Sequence, residues 1–136
     1  MSRARPETSS SKQRGERGSV SVELVILLPA LFAVMFLGMQ AALIYHARTV
    51  AIAAAQEGAL AAGGENGKSS DGINAASAFI TDAGGDVVLS GASATANRTA
   101  STVTVTVTGH SLSVIPGWNP VITQSASLPV ERLTAP

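Results

Sequence analysis

Few side chains in this sequence could carry chemistry, and their spacing excludes most of what they could do. The chain has no cysteine, which removes disulfides, zinc-thiolate sites and thiol nucleophiles. Its two histidines, His46 and His110, do not form the HxxxH or HExxH spacing on which a histidine metal site is built, so no metal and no cofactor are expected. Asp71, Asp82, Asp86 and Glu131 are scattered, with His110 as the histidine of that region, and supply neither a carboxylate pair nor a Ser-His-Asp set. The expectation is a protein that is not an enzyme. Glu23 is placed differently, because it opens a long apolar run. A carboxylate costs about 2.5 to 3.5 kcal/mol at a bilayer centre and less near the interface, so its position at the head of such a run calls for a reason.

The element that positions Glu23 is the run itself. Leu24 to Tyr45 is 22 residues without a formal charge, interrupted by Pro29, Gly38 and Gln40. As a helix it reaches roughly 33 Å, enough for the roughly 30 Å hydrocarbon core of a membrane. The formal net charge of zero is the sum of two unlike parts. Residues 1 to 17 hold five basic residues (Arg3, Arg5, Lys12, Arg14, Arg17) against Glu7 and Glu16, giving +3, and the rest of the chain carries −3. Basic residues are retained on the cytoplasmic side during insertion. The expected topology is a single pass through the cytoplasmic membrane with the N-terminus inside and the C-terminal domain outside.

The residues entering the run read Arg17-Gly18-Ser19-Val20-Ser21-Val22-Glu23. A basic segment, a glycine, four residues and a glutamate opening an apolar helix resemble the class III signal of type IV pilins and pseudopilins. More specifically, RGSVSVELVILLPALF followed by HARTVAIAAAQEGALAAGG resembles the TadE-like family, pseudopilins of the tight-adherence (Flp pilus) system. The resemblance implies that a prepilin peptidase cuts between Gly18 and Ser19, on the cytoplasmic side, and leaves the apolar helix on the mature protein. Glu23 would then be the fifth mature residue, available for subunit assembly by neutralising the new α-amino group of a neighbouring subunit. Pro29 removes a backbone donor and marks a site for a helix kink, in a membrane that tolerates such prolines. The partners implied are membrane lipid, the peptidase, other pilin or pseudopilin subunits and the pilus assembly machinery; no nucleic acid is expected.

Beyond the run, helix formers continue through residues 46–62 and Gly63-Gly64 supplies a stop. Ala47, Ala51, Ala55 and Ala59 recur every four residues as a small-residue stripe, read as packing against the protein's own sheet. A short helix is expected over 70–83, capped by Ser70 or Asp71, with Ile73, Ala76, Ile80 and Ala83 on one face. From 86 to 131 the period becomes that of strands. Thr102 to Thr108 alternates threonine with valine, Val87 to Ala96 is a plausible partner across a connection at Asn97 to Ala100, and Ser111 to Ile115 and Val121 to Val130 are further candidates. Trp118, between Pro116 and Pro120, reads as the plug of a small core, with an exposed contact at the distal end as the alternative.

The organisation expected is a basic cytoplasmic leader at 1–18, a transmembrane helix at 19–45 and an exported domain at 46–136. The fold class is α+β: a long N-terminal helix extending into a domain with a short second helix and a three- or four-stranded antiparallel sheet, pilin-like in arrangement. The functional expectation is a TadE-like membrane-anchored pseudopilin in assembly or initiation of a Flp/Tad-type pilus or related secretion filament, possessing no catalytic site of its own. The alternative from another class is an uncleaved signal-anchored envelope protein whose outer domain binds a ligand or partner.

Overall fold

The computed structural model describes Ala4 and residues 10–133, with the side chains of 10–17 excepted. Helix α1 runs Ser10–Gly63, 54 residues, and Pro29 lies inside it without ending it. It is followed by α2 (Ser69–Asp82), a short 3-10 turn (Gly85–Val87) and three strands, β1 (Leu89–Arg98), β2 (Thr102–Ser111) and β3 (Val121–Pro129). The chain divides into two compact units, residues 1–37 and 38–136. The α+β class expected from the sequence is the class observed, with three strands.

In the first unit the apolar residues of α1 pack on nothing among the described residues. Every residue from Gly18 to Leu37 is exposed, Val25 to 69% and Ile26 to 67%. A contiguous apolar surface of this kind is strongly unfavourable in water. This part of α1 is long and apolar enough to cross a membrane.

In the second unit the small-residue stripe meets its partner. Ala47, Ala51, Ala54, Ala55, Ala59 and Ala62 are fully buried, and they share one core with Ala76 and Ile80 of α2 and with Val103, Val105 and Val107 of β2. The close approach depends on two glycines. A Cβ at Gly58 would lie 2.7 Å from the Gly72 carbonyl oxygen and 3.0 Å from a Val105 methyl, so α1, α2 and β2 meet where a side chain is missing. The sheet order is β1-β2-β3, both pairs antiparallel. The valines of β2 are buried while its threonines face the other way, where Thr104 pairs with Ser127 and Thr106 with Ser125 through hydroxyl contacts of 2.7 Å. Ile122, Ala126, Leu128 and Val130 all lie on or against the core, as their shared parity requires.

Four local expectations change. Helix α2 begins at Ser69 with Lys68 as its cap residue, and Asp71 sits at the third helical position, accepting the Lys68 N–H at 2.8 Å. Strand β1 starts at Leu89 and runs through Arg98, because Gly85–Val87 coils before it and the connection tightens to Thr99–Ser101. Thr99 holds that turn: its N–H donates to the Thr102 carbonyl at 2.8 Å and its hydroxyl accepts the Thr102 N–H at 3.0 Å. Ser111 to Ile115 is not a fourth strand: after Ser111, which ends β2, the Val114 N–H is taken by Gln40 and Ile115 N–H by the Ser113 hydroxyl, which leaves no ladder to join. Trp118 is no core plug. It is 46% exposed, in the connection between β2 and β3.

Candidate processing and anchoring segment

Gly18, Ser19, Glu23 and Pro29 all lie on α1, in the first unit, and all are exposed. Among the described residues, a Cβ on Gly18 would meet nothing within 4 Å. Ser19 and Glu23 are four residues apart and so occupy one face of the helix, one turn from each other. Glu23 is the last formal charge before His46, so the carboxylate marks the polar end of the apolar run. Among the described residues, no three His, Cys, Asp or Glu side chains come together in a cluster able to hold a metal ion.

Next to Pro29, the side chains of Leu24, Leu27, Leu28, Leu31 and Val34 border a shallow apolar groove along the helix. The groove follows from helix geometry. These positions recur at intervals of three and four residues and form one face, and Ala30 lies between them with a small side chain. Such a face has van der Waals contact and no polar chemistry to offer, which suits lipid chains or another apolar helix.

Two residues important to the second unit carry no motif. Gln40 interrupts the charge-free run, yet it is 1% exposed and both its side-chain nitrogen and its oxygen have partners. Its Nε2 donates to the Leu112 carbonyl at 3.2 Å, while its Oε1 accepts the Val114 N–H at 2.8 Å and the Ser113 hydroxyl at 3.1 Å. The signal was present in the sequence: an amide in a run of membrane length and apolarity must find partners or go unsatisfied. Arg98 is the second. Its Nε donates to the Ala62 carbonyl at 2.8 Å and its Nη2 to the Gly64 carbonyl at 3.3 Å, so a side chain from β1 caps the end of α1. Nothing in the sequence around Arg98 announces that task.

Residues 18–60 match the family model described as TadE-like protein. The matched stretch starts at Gly18, takes in Glu23 and the whole apolar run, and ends three residues before the end of α1. Comparison with curated proteins and with solved structures gives no match.

Proposed function

From the TadE-like match over residues 18–60, we propose that this protein is a non-enzymatic, membrane-anchored pseudopilin that takes part in assembly or initiation of a Flp/Tad-type pilus or related secretion filament. The observation that carries the reading is that the matched stretch contains the exposed apolar part of α1 together with the Gly18 and Glu23 that introduce it. The basic leader orients insertion, so that the N-terminus stays inside the cytoplasmic membrane and the α+β unit is delivered outside. A prepilin peptidase cuts between Gly18 and Ser19. The new α-amino group at Ser19 then lies one helical turn from Glu23 in its own chain, and Glu23 is equally available to the amine of a neighbouring subunit in a low-dielectric helix bundle. Assembly exchanges lipid for the apolar faces of other subunits' helices, by van der Waals packing.

The experiment is determination of the mature N-terminus on membrane-extracted protein, with and without a co-expressed prepilin peptidase, for the native sequence and for Gly18→Leu. Because a Cβ at Gly18 meets nothing within 4 Å among the described residues, and Gly18 lies outside the packed second unit, the substitution is expected to read on processing. A start at Ser19 that depends on the peptidase and vanishes in Gly18→Leu is the expected result. A leader retained under all conditions overturns the pseudopilin reading in favour of an uncleaved signal-anchored envelope protein.

A further inference from the structure

The connection between β2 and β3 is unusual in what it lacks. From Ser111 to Val130 there is no charged side chain. Leu112, Trp118 and Val121 are nevertheless exposed, to 39%, 46% and 63%. Leu112 and Trp118 border one open depression with Ser113, Pro116 and Asn119. An apolar, charge-free loop of this kind calls for a covering medium.

Its attachment point identifies the medium. The loop is tied to α1 at Gln40, through Leu112, Ser113 and Val114. Gln40 lies within the charge-free run Leu24 to Tyr45 and six residues before His46, the first histidine of the chain. Without Gln40 to Tyr45 the run would be 16 residues, Leu24 to Met39. That is about 24 Å of helix, short of the roughly 30 Å hydrocarbon core. The loop is therefore fastened to helix that the bilayer needs. The fastening suits such a place, since both polar atoms of the Gln40 side chain have partners on the loop, and the Ser113 hydroxyl accepts the Ile115 N–H at 3.1 Å. The chain has one tryptophan and one tyrosine, and both are exposed near this end of the run: Trp118 on the loop and Tyr45 on α1, five residues beyond Gln40. Amphipathic aromatics concentrate at the level of lipid headgroups.

We propose that the Leu112–Pro120 connection is a second membrane-contact element, in which Trp118 and Leu112 sit in the headgroup and glycerol layer of the bilayer that α1 spans, held there by Gln40. The proposal rests on the reading of α1 as a membrane span. The bilayer contact of this protein is then a helix with a loop beside it.

Trp118 is the only tryptophan in the chain and reports its own surroundings. The full-length protein is reconstituted into phosphatidylethanolamine and phosphatidylglycerol vesicles, with lipids spin-labelled either near the headgroup or near the bilayer centre. The expected result is emission shifted to shorter wavelength, protection from aqueous iodide, and stronger quenching by the shallow label than by the deep one. The reference is the W118F/V34W double variant, whose reporter lies in the apolar run and is expected to favour the deep label. Iodide-accessible Trp118 emission without lipid quenching, while the V34W reporter is quenched, overturns the loop proposal and leaves the anchor standing. Protection that varies with protein density and not with either label also overturns it, in favour of contact with a second copy. If the V34W reporter escapes both labels, the membrane reading fails and the proposal falls with it. In Gln40→Leu the shallow-label quenching of Trp118 is expected to drop, and full retention overturns the fastening role of Gln40.

Discussion

The side-chain oxygen of Gln40 accepts the Val114 N–H at 2.8 Å, across 74 positions of sequence. The same amide donates to Leu112 and accepts from Ser113, so one residue of α1 organises three successive residues of an otherwise irregular connection. Replacing Gln40 by Leu keeps the size and the helix propensity but leaves the Val114 N–H without its acceptor. A buried donor deprived of its partner costs about 1 to 3 kcal/mol. Denaturant unfolding of the detergent-solubilised protein is expected to show that loss.

Gly58 and Gly38 make an internal contrast on one helix. An added methyl at Gly58 would lie 2.7 Å from the Gly72 carbonyl oxygen, whereas at Gly38 it would meet nothing within 4 Å. Gly58→Ala is expected to push α1 from α2 and to destabilise by about 1 to 3 kcal/mol. Gly38→Ala is expected to leave stability unchanged or to raise it by about 0.5 to 1 kcal/mol, since alanine is the better helix former. Unfolding midpoints of the two variants, measured side by side, check the sign of each.

Arg98 caps the carbonyls of Ala62 and Gly64 with two guanidinium hydrogen bonds. Arg98→Ala removes both and is expected to cost about 1.5 to 3 kcal/mol, the range for hydrogen bonds to charged groups. Arg98→Lys is expected to recover only part of this, because an ammonium lacks the fork that reaches two carbonyls at once. Amide exchange at the end of α1 should quicken in both variants, more in the alanine one.

Glu23 tests the assembly reading apart from the fold. It is exposed on α1 and far in sequence from the packed unit, so Glu23→Gln is expected to leave unfolding of the α+β unit unchanged. If its charge pairs with the α-amino group of processed subunits, cross-linking between subunits in the membrane falls in the variant while cleavage after Gly18 persists. Equal cross-linking in both proteins removes Glu23 from assembly.

What was legible in the sequence was what repeats locally. The charge-free run, the four-residue spacing of alanines and the threonine-valine alternation of β2 each bury or expose a face by their period alone, and each element formed where that period lay. What stayed hidden depended on contacts across many residues. Arg98 reaches Ala62 over 36 positions and Gln40 reaches Leu112 over 72, and neither partner is a side chain that a motif could name. The same hidden contact explains the strand that did not form at Ser111 to Ile115: the residues have strand composition, but Gln40 takes the donor a ladder would have used. The candidate residues Gly18, Ser19, Glu23 and Pro29 were open to a reading by motif because they are close together in sequence, and the family match covers all four positions.

The outward face of the sheet has one further consequence. Cross-strand register places Asn97, Thr104 and Ser127 in one row, Thr95, Thr106 and Ser125 in the next, and Ser93, Thr108 and Thr123 in a third. These nine positions offer hydroxyls and one amide, groups that neither gain nor lose protons in ordinary waters and that attract no counterion cloud. Whatever rests against these three rows meets hydroxyls and one amide and no formal charge, until His110, two residues beyond Thr108 on the same face of β2.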